Sequence, residues 1–141
     1  MNDSVLLSDH VVHLADQLTA GPPGIGGLGI TVSPRNDALW TARDRPELAT
    51  GRLVSLFGYD ATWDYQERHP TGDELVYVIS GEVDLLVDAG DGERGVRLSA
   101  GCAGVVPAGG WHRLAVHEPC TVLFITPTPA QTEHRSMRGD R

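Results

Sequence analysis

Apolar and polar residues alternate in short runs through the middle of the chain. From Glu82 to Asp88, Val83, Leu85 and Val87 fall on one face, and Glu82, Asp84 and Asp88 fall on the other. A period of two is the mark of a half-buried strand. Comparable runs predict strands over Arg52 to Tyr59, Thr62 to His69, Leu75 to Ile79, Gly95 to Leu98, Val105-Val106, Trp111 to His117 and Thr121 to Thr126. Ser80-Gly81 and Ala89-Gly90-Asp91-Gly92-Glu93 supply the turn chemistry between them. About eight short strands at regular spacing predict an all-β sandwich or barrel. No internal repeat is present.

The two ends do not share this pattern. Residues 1-45 read as an N-terminal extension, in which Val11-Val12-His13-Leu14-Ala15 is either an added strand or a short helix and Gly21 to Gly29 is a loop. Residues 46-127 form the barrel region, entered through a polar connection ending at Thr50. Residues 128-141 carry few apolar groups and mixed charge, so the expectation is a mobile C-terminal tail.

Composition narrows the function classes. A chain of 141 residues fits one domain with its own core. A net charge of -8, with only 11 scattered Lys and Arg, argues against nucleic acid as a partner. No run approaches the ~18 apolar residues of a membrane helix. The start Met1-Asn2-Asp3-Ser4 lacks the basic and apolar segments of a secretion signal, so a cytoplasmic location is expected. Cys102 and Cys120 are expected to be reduced, mostly buried thiols. Gly24-Ile25-Gly26-Gly27-Leu28-Gly29 spells a dinucleotide-binding pattern in the wrong context. It follows Pro22-Pro23 and leads into Ile30-Thr31-Val32, with no helix to receive a pyrophosphate, so it reads as a connector.

The chemistry concentrates in two segments. In Glu67-Arg68-His69-Pro70-Thr71-Gly72-Asp73-Glu74, Glu67 and His69 are two apart and share a strand face, and Glu74 opens the next apolar run. In Pro107-Ala108-Gly109-Gly110-Trp111-His112, His112 begins another strand. Two imidazoles and two carboxylates meeting inside a barrel are a ligand set for a first-row divalent ion, Fe, Mn, Zn or Ni. Glu67 either completes that set or stands beside a three-ligand metal as a general base. Trp63 and Tyr65 share parity with Glu67 and should face the same interior, where Tyr65 is placed to give a proton or a hydrogen bond. Gln66 and Arg68 should face outward, and Trp111 should point away from the interior or sit at the rim. His10, His13, His117 and His134 lie outside these segments and are not expected to be ligands.

These two segments resemble the paired motifs of the cupin superfamily. The first reads Ala61-x5-Glu67-x-His69-x4-Glu74-x6-Gly81, with Ala61 in place of the motif's first glycine and Glu67 in place of its first histidine. The second reads Gly101-x5-Pro107-x-Gly109-x2-His112-x3-Val116, complete but for a final Asn. The resemblance spans about residues 52 to 126 and implies a jelly-roll β-barrel, or double-stranded β-helix, with a metal in its mouth. It further implies pairing as a homodimer through the N-terminal segment. The activity implied is that of a small metalloenzyme of dioxygenase, isomerase, lyase or cyclase type acting on a small organic molecule. The alternative is a non-catalytic cupin that binds or senses a small ligand.

Overall fold

The computed structural model describes residues 4–15, 30–36 and 46–137. The glycine-rich Gly24 to Gly29 segment and the first part of the polar connection lie outside those residues. Among the described residues the regular structure is nine strands and two short 3₁₀ turns. The strands are β1 (His10–Leu14), β2 (Ile30–Pro34), β3 (Arg52–Tyr59), β4 (Tyr65–Arg68), β5 (Glu74–Asp88), β6 (Glu93–Ser99), β7 (Ala103–Val106), β8 (Trp111–Pro127) and β9 (Glu133–Ser136).

Two long antiparallel strands organise the molecule. The first half of β5 pairs with the second half of β8 (Leu75 opposite Ile125), and the second half of β5 pairs with the first half of β8 (Leu85 opposite Leu114). Register shifts between Val78 and Val83 let both strands bend and pass from one sheet to the other. One sheet therefore runs β2-β1-β3-β8-β5-β7, and the other runs β9-β4-β8-β5-β6. This is an all-β jelly-roll barrel. The two inner faces meet in one cluster that includes Val76, Val78, Val106, Val122 and Phe124 from the first sheet and Val83, Leu85, Leu98 and Leu114 from the second.

The bend depends on one glycine. Gly81 sits at φ +84°, and a Cβ there would lie 2.2 Å from the Pro119 carbonyl oxygen. The expected break at Ser80-Gly81 is thus a bulge inside a continuous strand. Likewise, Trp111 to His117 and Thr121 to Thr126 are one strand bent at Glu118-Pro119.

Of the two readings open for the Val11 segment the structure has the strand, paired with both β2 and β3, and Val11 packs with Leu48, Leu53 and Ala130 in a second small core. Four further expectations change. The strand expected from Thr62 starts only at Tyr65, because Trp63 N–H bonds the Leu114 carbonyl and Thr62 Oγ1 accepts from Val116 N–H outside regular pairing. The segment expected to be a mobile tail instead forms a 3₁₀ turn at Pro129–Gln131 and then β9, which pairs with β4 from Tyr65 opposite Ser136 to Arg68 opposite Glu133. Gln66, expected outside, is buried, because Glu93 and Arg135 close over it and each bonds its amide. Cys102 is exposed while Cys120 is buried, and both are free thiols.

Candidate metal centre

The motif turn and the strand geometry converge on one place. Pro107 to Gly110 makes a tight turn, with Gly110 N–H on the Pro107 carbonyl and Gly109 at φ +80°. The turn is docked on the first motif through Gly109 N–H to the His69 carbonyl and Ala108 N–H to Asp73 Oδ1. β8 then starts with His112 and Leu114 pointing inward, each fully buried, while Trp111 faces the other way between the guanidinium groups of Arg68 and Arg135. Glu67 is the register partner of His112 on one side and of His134 on the other. One row across β8, β4 and β9 therefore carries His112, Glu67 and His134. Glu74, at the head of β5, approaches from the opposite sheet.

Glu67, His69, Glu74 and His112 each offer one ligand atom, and these atoms all lie within 4.8 Å of one another. The two Glu74 oxygens are 3.0 Å from His69 Nε2 and 2.9 Å from His112 Nε2. Glu67 Oε2 stands further off, 4.0 Å from His69 Nε2 and 3.8 Å from His112 Nε2. Donor atoms about 2.1 Å from a shared ion are about 3.0 Å apart at a right angle and about 4.2 Å apart when opposed. Three of the four separations fall in that interval, and the 2.9 Å between His112 Nε2 and Glu74 lies just below it.

The donor set fits a cation for a second reason. Among the described residues, His69 Nε2, His112 Nε2 and Glu74 Oε1 are buried without a hydrogen bond of good geometry, although the nitrogens approach the Glu74 carboxylate to 2.9–3.0 Å. Leaving such groups unsatisfied in a dry site is costly, and a shared ion removes the cost. The surrounding contacts hold the donors in place. Thr126 Oγ1 donates to Glu74 Oε2 at 2.7 Å, and His69 Nδ1 meets Thr132 Oγ1 at 3.1 Å, which orients the ring with Nε2 toward Glu74. His134 Nε2 is 2.9 Å from Glu67 Oε1, leaving Oε2 toward the two buried histidines.

The electrostatics follow from this packing. Burial alone would raise Glu74, but His69 and His112 outweigh it and hold the carboxyl well below the usual carboxylate range. Burial alone would depress His112, and Glu74 outweighs it, so the imidazole is more basic than usual. With the donors ionised in this way, the ion competes with protons for the site.

A cavity of about 550 Å³ opens beside the four residues. Its walls are aromatic: Phe57, Tyr59, Trp63, Tyr65 and Phe124. Trp63 and Tyr65 are stacked at 4.8 Å with their planes 9° apart, as their shared parity requires, and Tyr59 meets Trp63 edge to face at 5.3 Å. Glu67, Glu74 and His134 also line the cavity. Burial keeps the Tyr59 phenol far above its ordinary range, hence neutral.

The expected ligand positions are thus brought together, and Tyr65 lies in the adjoining cavity. His134 was not expected at the site. The sequence carries no signal for it, since Glu133-His134-Arg135-Ser136 has no apolar alternation. Its place follows only from the pairing of β9 with β4.

Comparison with known proteins agrees with the fold and the motifs. Residues 60–126 match the family model described as a cupin domain. The chain thus carries a cupin domain over residues 60–126. Among solved structures it is similar to the S161A mutant of oxalate decarboxylase from Bacillus subtilis, at 25% identity and a TM-score of 0.50, over 61% of this chain and 24% of that one. It thus matches only about a quarter of the decarboxylase. It is also similar to a cupin-2 domain containing protein from Shewanella frigidimarina, at 24% identity and a TM-score of 0.46, over 54% of this chain and 70% of that one. A cupin superfamily protein from Desulfitobacterium hafniense matches at 25% identity and a TM-score of 0.46, over 54% of this chain and 66% of that one. No curated protein matches the chain. No helix among the described residues is long and apolar enough to cross a membrane.

Proposed function

We propose that this chain is a metal-dependent enzyme for a small organic molecule, with Glu67, His69, Glu74 and His112 holding one divalent ion at the end of the aromatic cavity. The observation that carries the reading is the cluster itself: four ligand atoms within 4.8 Å, three of the donor atoms buried without a hydrogen bond of good geometry. Two carboxylates make the site hard and anionic, which favours Mn or Fe among Fe, Mn, Zn and Ni. Bacillus subtilis oxalate decarboxylase, similar at a TM-score of 0.50 and 25% identity, is described as having Mn(II) centres, which supports the same preference. An ion bound here supplies Lewis acidity toward substrate oxygens. His69, Glu74 and His112 keep it in a dry, fixed position. Glu67, on the cavity side of the cluster, is the ligand nearest the substrate, and Tyr65 is the neighbouring group from which a proton can be given.

The test is elemental analysis of untagged protein by plasma mass spectrometry. About one equivalent of a single transition metal is expected, because the buried donor set is complete. His112→Ala should lose that metal while the far-ultraviolet circular dichroism stays that of a β-barrel. Metal retained in His112→Ala, or no uptake of any of the four ions by the wild type, would reject the reading and leave a ligand-binding cupin.

A further inference from the structure

The cavity walls identify the kind of molecule that would occupy the site. We infer that the substrate is a flat aromatic compound, uncharged in solution and bearing a hydroxyl or carbonyl oxygen, and not a small dicarboxylate. The inference deepens the metalloenzyme reading and rests on it for the placement of that oxygen.

Two features of the cavity carry it. The first is the wall itself. Phe57, Tyr59, Trp63, Tyr65 and Phe124 surround a space of about 550 Å³, well within the ~300–1,000 Å³ typical of sites for organic ligands. Phe57 stacks with Tyr59 at 6.1 Å and meets Phe124 edge to face at the same distance, so the wall is a connected set of rings. A planar ring gains most from such surfaces, through offset stacking and edge-to-face contact. A small dicarboxylate would leave most of the volume empty and would lose its hydration against rings that cannot replace it.

The second feature is charge. Among the described residues no Lys or Arg lines the cavity, and the carboxylate and imidazole groups that do are Glu67, Glu74 and His134. Arg35 lies over Phe57, 3.8 Å from the ring centroid, but its Nη1 donates to the carbonyls of Ser8 and Leu56. The formal charges of two carboxylates and a divalent ion cancel. A dianion entering would therefore meet no net attraction, with the divalent ion as its one cationic partner and two carboxylates beside it. A neutral phenol or ketone meets no such penalty. Ser55 also lines the cavity, and its buried hydroxyl has no hydrogen-bond partner among the described residues, so a polar group remains available to a second oxygen on the ring.

The experiment uses the full chain loaded with Zn(II) and its metal content measured first. Binding of 2-naphthol, followed by its own fluorescence, is compared with binding of oxalate, followed by calorimetry. The expected result is an affinity for 2-naphthol at least tenfold higher than for oxalate. Tyr65→Leu should weaken 2-naphthol at least fivefold with zinc content unchanged, whereas Tyr65→Phe, which keeps the ring, should stay within twofold of wild type. Equal or tighter binding of oxalate, or loss in Tyr65→Phe as large as in Tyr65→Leu, would overturn the inference while the metal reading stands. If neither zinc nor any of Mn, Fe and Ni loads, the metal reading fails on its own. The aromatic inference is then decided on the metal-free protein, where absent 2-naphthol binding overturns it and Tyr65-dependent binding sustains it.

Discussion

At the scale of the residue, the departure that matters is Glu67 standing where the cupin motif has a histidine. Its Oε2 is about 1 Å further from the histidine nitrogens than the Glu74 oxygens are, and its Oε1 is bound by His134. On the proposed reading, a carboxylate held in that way would be the weakest ligand of the four and the one on the cavity side. Glu67→His should therefore tighten Zn or Ni, because imidazole ranks above a strained carboxylate for these ions. Competition against a chromophoric chelator measures this, and a flat or falling affinity would show that Glu67 is not a ligand. His134 is a positioning residue in the same argument. His134→Ala should weaken metal binding about tenfold, the usual effect of removing a group that orients a ligand. His134→Gln keeps a donor and should recover part of it. Equal affinity in all three proteins would remove His134 from the site.

At the scale of the element, the strands that could be read from the sequence were those with one dry face. Glu82 to Asp88 and Arg52 to Tyr59 alternate because one side packs on the core and the other meets solvent, and β3 begins and ends where the pattern does. The ligand positions were legible for the same reason. Strand parity fixes Glu67 with His69, and the Pro107–Gly110 turn delivers His112 at the start of β8. β9 was not legible, because its evidence is not in its own residues. It is a polar edge strand held by β4 pairing and by Arg68–Glu133 and Arg135–Gln66 contacts between segments some 65 residues apart. The continuity of β5 and β8 was hidden by Gly81 and Pro119, which look like breaks and act as bends. That difference has a measurable consequence. Gly81→Ala forces a Cβ to 2.2 Å of the Pro119 carbonyl at a φ of +84°. It should cost more than about 2 kcal/mol in denaturant unfolding, the combined effect of the left-handed backbone and the clash. Gly90→Ala, at φ +115° with nothing within 4 Å of the added carbon, carries only the backbone strain and should cost less. Equal costs would mean that the bend can relax.

At the scale of the whole molecule, the cluster of Glu67, His69, Glu74 and His112 sits where both sheets and the C-terminal strand join, so its charge state bears on global stability. Glu74, Glu93 and Asp84 all have carboxyls held below their ordinary values, Glu74 chiefly by His69 and His112 against the opposing effect of its burial, Glu93 by Arg113, and Asp84 by Arg97 with His117. Their contribution is fully present above the ordinary carboxylate value near ~4 and is lost as pH falls from there through the depressed folded values. His112 moves the other way, since Glu74 raises it despite burial. Its contribution is complete below the ordinary imidazole value near ~6.5 and is lost as pH rises through the raised folded value. The metal-free protein should therefore be most stable in mildly acidic solution, between those limits, and should weaken toward alkaline pH. A bound ion replaces the proton between Glu74 and the two histidines. The loaded protein should keep its stability through neutral pH and gain about 4 kcal/mol when free metal is a thousandfold above its dissociation constant. Thermal unfolding from pH 4 to 9, with chelator and with Mn(II), reads both curves. Their meeting at low pH and parting above neutrality is the expected result. Parallel curves would mean that the ion binds somewhere other than the Glu74 pair of histidines, because only there do metal and proton compete for the same atoms.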